Sequence, residues 1–255
     1  MNTLNLSNRT IVTGATVETG ESSILKLDDV SKNKNSFVLA NTDMKTFQEI
    51  DYGWLPLCAD TYKISPNIED YIFVGVPIIT CDTPNRNLQA FPFLEVTSWD
   101  VNQGSAVYKT FTGKPTYTNH KNNTIPHLAK GAHFDAAMEY IPKYGLYKIN
   151  VLLGFDKKKD PGLAQAIVSN KGVTGYSMGA MVETFLDTVT GKFIGLNDKD
   201  YKLHRGSVDP KTGKLRYLSC VGVTFFETSC LGDFGRGDPG EPPADHSAIS
   251  DVIWG

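Results

Sequence analysis

The chain has 255 residues, with 25 Lys and Arg against 28 Asp and Glu and a formal net charge of -3. A composition that is 40% hydrophobic and 21% charged excludes a chain disordered throughout and suits one large or two small domains. Without a basic excess to neutralise phosphates, a dedicated nucleic-acid partner is disfavoured. The longest apolar run, Tyr71 to Ile79, falls well below the ~20 residues that span a bilayer. Met1 to Leu6 lacks the basic and apolar regions of a signal peptide. Four scattered cysteines, Cys58, Cys81, Cys220 and Cys230, form no CxxC pair. That argues against a zinc ribbon and fits reduced thiols in a reducing, intracellular compartment.

Along the chain, residues 1–65 are polar and uneven. Glu18 to Ser23 and Ser31 to Ser36 read as turns, with a short strand candidate at Thr10 to Thr13, so this segment is expected to be a weakly defined N-terminal extension. A second unit is expected over residues 66–255. It opens with Tyr71 to Thr80, a β-branched and aromatic run that closes at the turn-forming Asp82 to Asn87. Val107 to Phe111 alternates like a strand before the Gly113–Pro115 turn, and Leu146 to Phe155 is a further strand. The clearest helix follows. Asp160 can cap it, Pro161 suits its first position, Leu163 and Ile167 share a face, and Gly172 can close it. Strands are expected again at Ala180 to Leu186, Lys192 to Leu196 and Leu215 to Phe226, and Gly232 to Pro243 reads as a loop. Several strands with one strong helix predict a mainly β fold with a few helices, of the α+β type. A doubly wound parallel sheet would need helices between most strands.

Two polar spots interrupt these patterns. His120 ends the stretch Lys114 to His120, and Ser177 lies between two glycines in Gly175-Tyr-Ser-Met-Gly179. A serine nucleophile needs an imidazole within hydrogen-bond reach, and flanking glycines allow a substrate backbone to approach closely. The spelling G-x-S-x-G matches the hydrolase elbow, which passes from strand into helix. Here a helix precedes and a strand follows, so that reading fails, and Gly175 to Gly179 reads as a turn at the junction of helix and strand.

At these residues the chain resembles the prohead (head maturation) proteases of tailed bacteriophages, serine proteases related in fold to the herpesvirus assemblins. The resemblance rests on an ordered series over roughly residues 70–250. It comprises Val76 to Ile79, Pro84 to Asn87, Phe111 to Pro115, Asn119 to Asn123, Ala129 to Ala136, Phe155 to Pro161, Tyr176 to Gly179, Phe225 to Ser229 and Pro243 to Ala248. It implies an assemblin-like β-barrel with surrounding helices, with Ser177 as nucleophile and His120 as its base. The implied substrates are scaffold and capsid proteins and the protease itself, inside the assembling prohead in the host cytoplasm. For the third member, Glu227 ends the apolar run Val221 to Phe226 and resembles the strand that carries a histidine in the assemblins. Asp135 is the runner-up.

Other features read as structural. The spacing of His120, His127 and His133 with Asp135 matches no standard metal-ligand pattern, so no metal is expected. Gly113-Lys-Pro115 lacks the remaining glycines of a P-loop, so no nucleotide cofactor is expected. Lys157 to Lys159 reads as a solvated turn, Phe91, Phe93, Phe225 and Phe226 as core, and Cys230 as a buried structural thiol. The competing reading is a catalytically inactive protease relative that serves as a structural or scaffold component of the capsid.

Overall fold

The computed structural model describes residues 3–5, 10–13, 36–39, 49–85, 87–119, 125–169, 172–195, 198–199, 201 and 206–232. The strands of the N-terminal half are β1 (Thr3–Asn5), β2 (Thr10–Thr13), β3 (Ser36–Leu39), β4 (Glu49–Asp51), β5 (Tyr71–Thr80), β6 (Gln89–Ala90), β7 (Trp99–Asp100), β8 (Ser105–Ala106) and β9 (Pro115–Thr118). Those that follow are β10 (Gly131–Ile141), β11 (Leu146–Asp156), β12 (Val173–Asp187), β13 (Phe193–Ile194) and β14 (Leu218–Gly232). Three α-helices join them among the described residues: α1 (Leu55–Tyr62), α2 (Phe93–Thr97) and α3 (Pro161–Ser169). The fold is mainly β with few helices, as the strand-rich pattern predicts.

Among the described residues ten strands form one sheet, ordered β13-β12-β14-β9-β10-β11-β5-β3-β2, with β6 also paired to β14. The path runs open from β13 to β2, and no described strand closes it into a barrel. β9 and β14 pair in parallel, whereas β14–β12, β9–β10, β10–β11 and β11–β5 are antiparallel. Residues 1–65 supply β2 and β3, and β3 pairs with β5.

The main core packs Ile72, Val74 and Val76 of β5 with Val151 and Leu153 of β11, Leu163 and Ile167 of α3, and Val223 and Phe225 of β14. A second cluster lies under α1, where Leu55 and Ala59 meet Phe73, Phe134 and Leu152. The ring of Phe134 covers Gly154, where an added Cβ would come within 2.2 Å of it. Sequence reading gave no helix at 55–62. Its signal is Pro56 in the first turn of an apolar stretch, a local cue outweighed by the polar residues around it.

Local signals placed other elements well. Tyr71–Thr80 is β5, and α3 starts at Pro161 with Asp160 Oδ1 accepting from Leu163 N–H at 3.1 Å. Three expectations need correction. Val107–Phe111 is a 3-10 helix and not a strand, because the Thr110 hydroxyl bonds back to Val107 O at 2.7 Å and Phe111 stacks on Phe225 with ring centroids 4.2 Å apart. β12 begins at Val173, seven residues before the expected Ala180, so Gly175–Gly179 is strand and not a turn at a junction. Nor is Lys159 merely solvated: its ammonium donates to Tyr62 O at 2.6 Å and His127 O at 2.8 Å. It thereby ties the end of α1 to the 3-10 turn at Pro126–Leu128.

Candidate functional site

The candidate site forms where β12, β14 and β9 run side by side. On β12, Tyr176, Met178, Ala180 and Val182 pack on the main core. Strand side chains alternate, so Ser177 and Gly179 belong to the opposite face. Across on β14, the register pairs Ser177 with Ser229 and Gly179 with Glu227, then jumps to Ala180 with Phe225. Phe226 is therefore the extra residue of a β-bulge. A bulge reverses the alternation beyond it and re-aims the following side chains. Before it Val223 and Phe225 face the main core; after it Cys230 does, while Glu227 and Ser229 turn to the face of Ser177. β9 adds Tyr117, the register partner of Ser229.

All four side chains are enclosed: Ser177 is 2% exposed, Glu227 1%, Ser229 0% and Tyr117 4%. A buried carboxylate needs hydrogen-bond donors, and the Ser229 hydroxyl donates to Glu227 Oε2 at 3.0 Å. The other oxygen, Oε1, lies 2.5 Å from the point where a Cβ on Gly179 would stand. Burial, and then the charge of Glu227, push the Tyr117 phenol above its ordinary range. Glu227 is thus an inward-facing group on a buried strand and not a solvent-facing residue.

β9 ends at Thr118, and the next residue, Asn119, adopts a left-handed conformation with φ 48°. Its backbone N–H donates to Cys230 O at 3.0 Å. Its side chain then grips Gly232 twice: Nδ2 donates to Gly232 O at 2.8 Å, and Oδ1 accepts from Gly232 N–H at 2.9 Å. The residue expected to be the base, His120, follows directly in sequence and lies outside the described residues.

The runner-up carboxylate is placed elsewhere. Asp135 sits beside a bulge on β10, where it accepts from Lys109 Nζ at 2.7 Å and from the Ala136 N–H at 2.8 Å. β14 and β9 stand between β10 and β12, a lateral separation of about 14 Å at ordinary strand spacing. Glu227 therefore lies on the strand paired with that of Ser177, and Asp135 does not.

His127 is exposed on its 3-10 turn. His133 is fully buried, stacked on Phe111 with centroids 5.1 Å apart. Burial, with a smaller contribution from the Lys114 charge, pushes its imidazole down to about 3. Among the described residues, no three His, Cys, Asp or Glu side chains converge to hold a metal ion. The four cysteines are free, and burial pushes the Cys230 thiol far up. No helix among the described residues is long and apolar enough to cross a membrane.

Sequence reading missed Ser229 as a site residue. The usable signal was Glu227-x-Ser229, two polar residues at strand period behind an apolar run. The chain was compared with protein-family models, with curated proteins and with solved structures, and it matches none of them.

Proposed function

We propose that the chain is a serine endopeptidase of the prohead-protease kind, with Ser177 as nucleophile, His120 as base and Glu227 as the orienting carboxylate. The observation that carries the reading is the register of β12 on β14. Ser177 and Glu227 are diagonal neighbours on one face, a relation that separates side-chain bases by about 7 Å. An imidazole hydrogen-bonded at both nitrogens bridges a gap of this order. β9, which ends two residues before His120 in the sequence, lies next to β14. An assemblin-like arrangement of strands, scaffold and capsid proteins as substrates, self-cleavage and action inside the assembling prohead all belong to the same proposal.

In the proposed reaction His120 takes the hydroxyl proton as Ser177 Oγ attacks a peptide carbonyl, and it returns that proton to the leaving amine. Glu227 accepts from the far ring nitrogen and stabilises the imidazolium formed on attack. A water molecule then releases the acyl group by the same proton route in reverse.

A second reading, an inactive relative with a structural role in the capsid, is favoured by the 2% exposure of Ser177. A substrate carbonyl must reach that hydroxyl. Two measurements separate the readings: intact mass of the purified chain over time, and reaction with a fluorophosphonate, each beside Ser177→Ala. Trimming, or addition of one phosphonyl group at Ser177, in the wild type alone supports the enzyme. No trimming and no labelling of folded wild type supports the structural role.

A further inference from the structure

We infer that Ser229 and Gly179 are positioning residues that together form a seat for the Glu227 carboxylate; the inference rests on the endopeptidase reading. The seat has two halves, one for each carboxylate oxygen. Ser229 is 0% exposed and donates its hydroxyl to Oε2 at 3.0 Å. Gly179 lies across the strand pair as the register partner of Glu227. Its missing side chain leaves room for Oε1, which comes within 2.5 Å of an added Cβ, and for the ring of Phe226, whose Cζ comes equally close. Any side chain at 179 therefore has to displace the carboxylate, the ring, or both. The bulge at Phe226 is what turns Glu227 onto this face, and Tyr117 lies beside it on β9.

The pattern assigns distinct jobs to the residues around Ser177. Gly179 reads in sequence as room for a substrate backbone to approach. In the structure it makes room for a carboxylate that comes from another strand. Ser229, opposite Ser177, is fully buried and donates to an acidic oxygen, so its role is to hold Glu227 in one orientation. A carboxylate that can turn loses its alignment with an imidazole, and it then both stabilises the imidazolium less and raises the imidazole pKa less.

The test uses the full chain and a fluorophosphonate. Labelling forms a bond from Ser177 Oγ to phosphorus and breaks the P–F bond; fluoride leaves and the base takes the serine proton. Rates are measured by intact mass from pH 5 to 9 for wild type, Ser229→Ala, Ser229→Cys, Ser229→Thr, Gly179→Ala, Glu227→Gln and Ser177→Ala, with urea unfolding of each. Ser229→Ala is expected to label about tenfold to a hundredfold more slowly, the range for losing one hydrogen bond to a charged group. The midpoint of its pH profile should move to lower pH. Ser229→Thr keeps the hydroxyl and should stay within a few fold of wild type, whereas Ser229→Cys, a weak donor of similar size, should fall between. Gly179→Ala should be as slow as Ser229→Ala. If Ser229→Ala does not fold, Ser229→Cys decides alone.

Wild-type rate and pH profile in both Ser229→Ala and Ser229→Cys, while Glu227→Gln is slow, overturn the seat and leave the endopeptidase reading standing. A folded wild type that is not labelled, or labelling that survives Ser177→Ala, overturns the reading and the inference with it.

Discussion

Glu227 Oε1 lies 2.5 Å from the point where a Cβ on Gly179 would stand. The glycine that follows Ser177 by two residues therefore has a tertiary reason, which is to admit a carboxylate from β14 onto the face of the serine. The side chain that completes the site is set by the pairing of two 15-residue strands and not by the local spelling around Ser177.

The two carboxylates separate by kinetics. Glu227→Gln keeps size and removes charge, and a comparable neutralisation in a serine protease cost ~10⁴ in kcat. Proteolysis or fluorophosphonate labelling should fall by several orders of magnitude, with KM nearly unchanged. Asp135→Asn loosens an ion pair that is partly open to solvent and should leave the rate within a few fold, because such pairs contribute about 1 kcal/mol or less. The opposite order would transfer the orienting role to Asp135.

Ser177→Ala removes one oxygen from a buried strand position and leaves no large cavity. Its unfolding free energy should stay within about 2 kcal/mol of wild type, since most single substitutions cost ~0.5–3 kcal/mol. Labelling and self-trimming should disappear, as loss of the nucleophile in a comparable triad costs ~10⁶ in kcat. Urea titration beside intact mass checks both halves, and cleavage by the folded variant would remove Ser177 from the nucleophile role.

What was legible in the sequence was short-range. Asp160 and Pro161 announce α3 because capping is local chemistry, and the β-branched run from Tyr71 marks β5 because a strand buried on both faces needs no alternation. Ser177 and Glu227 could be picked out as residue types. Three features were not legible. The alternation of Val107 to Phe111 fits a strand, yet tertiary stacking on Phe225 and His133 and the Thr110 bond to Val107 O favour a 3-10 turn. Gly175 and Gly179 read as a turn because nothing local reports Glu227 on a strand 48 residues later in the chain. The bulge at Phe226 reverses which residues face the core, and the largely apolar run Val221 to Phe226 hides it.

Backbone contact inside the sheet gives a sharper stability test. A Cβ at Gly131 would stand 1.8 Å from Gly154 O, a backbone atom of the paired strand β11. Such an overlap can be relieved only by parting β10 from β11. Gly131→Ala should therefore cost well over 3 kcal/mol, in the tail of substitution effects. Gly145→Ala, at φ +66° with nothing among the described residues within 4 Å of its Cβ, carries only conformational strain, of order 1 kcal/mol. Urea midpoints of the two variants compare them directly; similar midpoints would contradict the tight β10–β11 contact.

The last prediction concerns acid. His133 is buried neutral, and among the described residues neither Nδ1 nor Nε2 has a hydrogen-bond partner. Burial, and then the Lys114 charge, hold its pKa down at about 3, against ~6.5 in an unfolded chain. Between those values the unfolded state binds the extra proton, so stability falls as pH drops and is highest above ~6.5. The slope approaches ~1.4 kcal/mol per pH unit, which gives a loss of about 2 kcal/mol between pH 7 and pH 5 from this group alone. His133→Leu removes the titration and keeps an apolar contact with Phe111. Other titrating groups act on both proteins alike, so the difference between wild type and variant isolates His133. Urea unfolding at pH 7 and pH 5 should show the wild type losing about 2 kcal/mol more than His133→Leu. Equal losses would mean that His133 is protonated, or reached by solvent, in the folded chain.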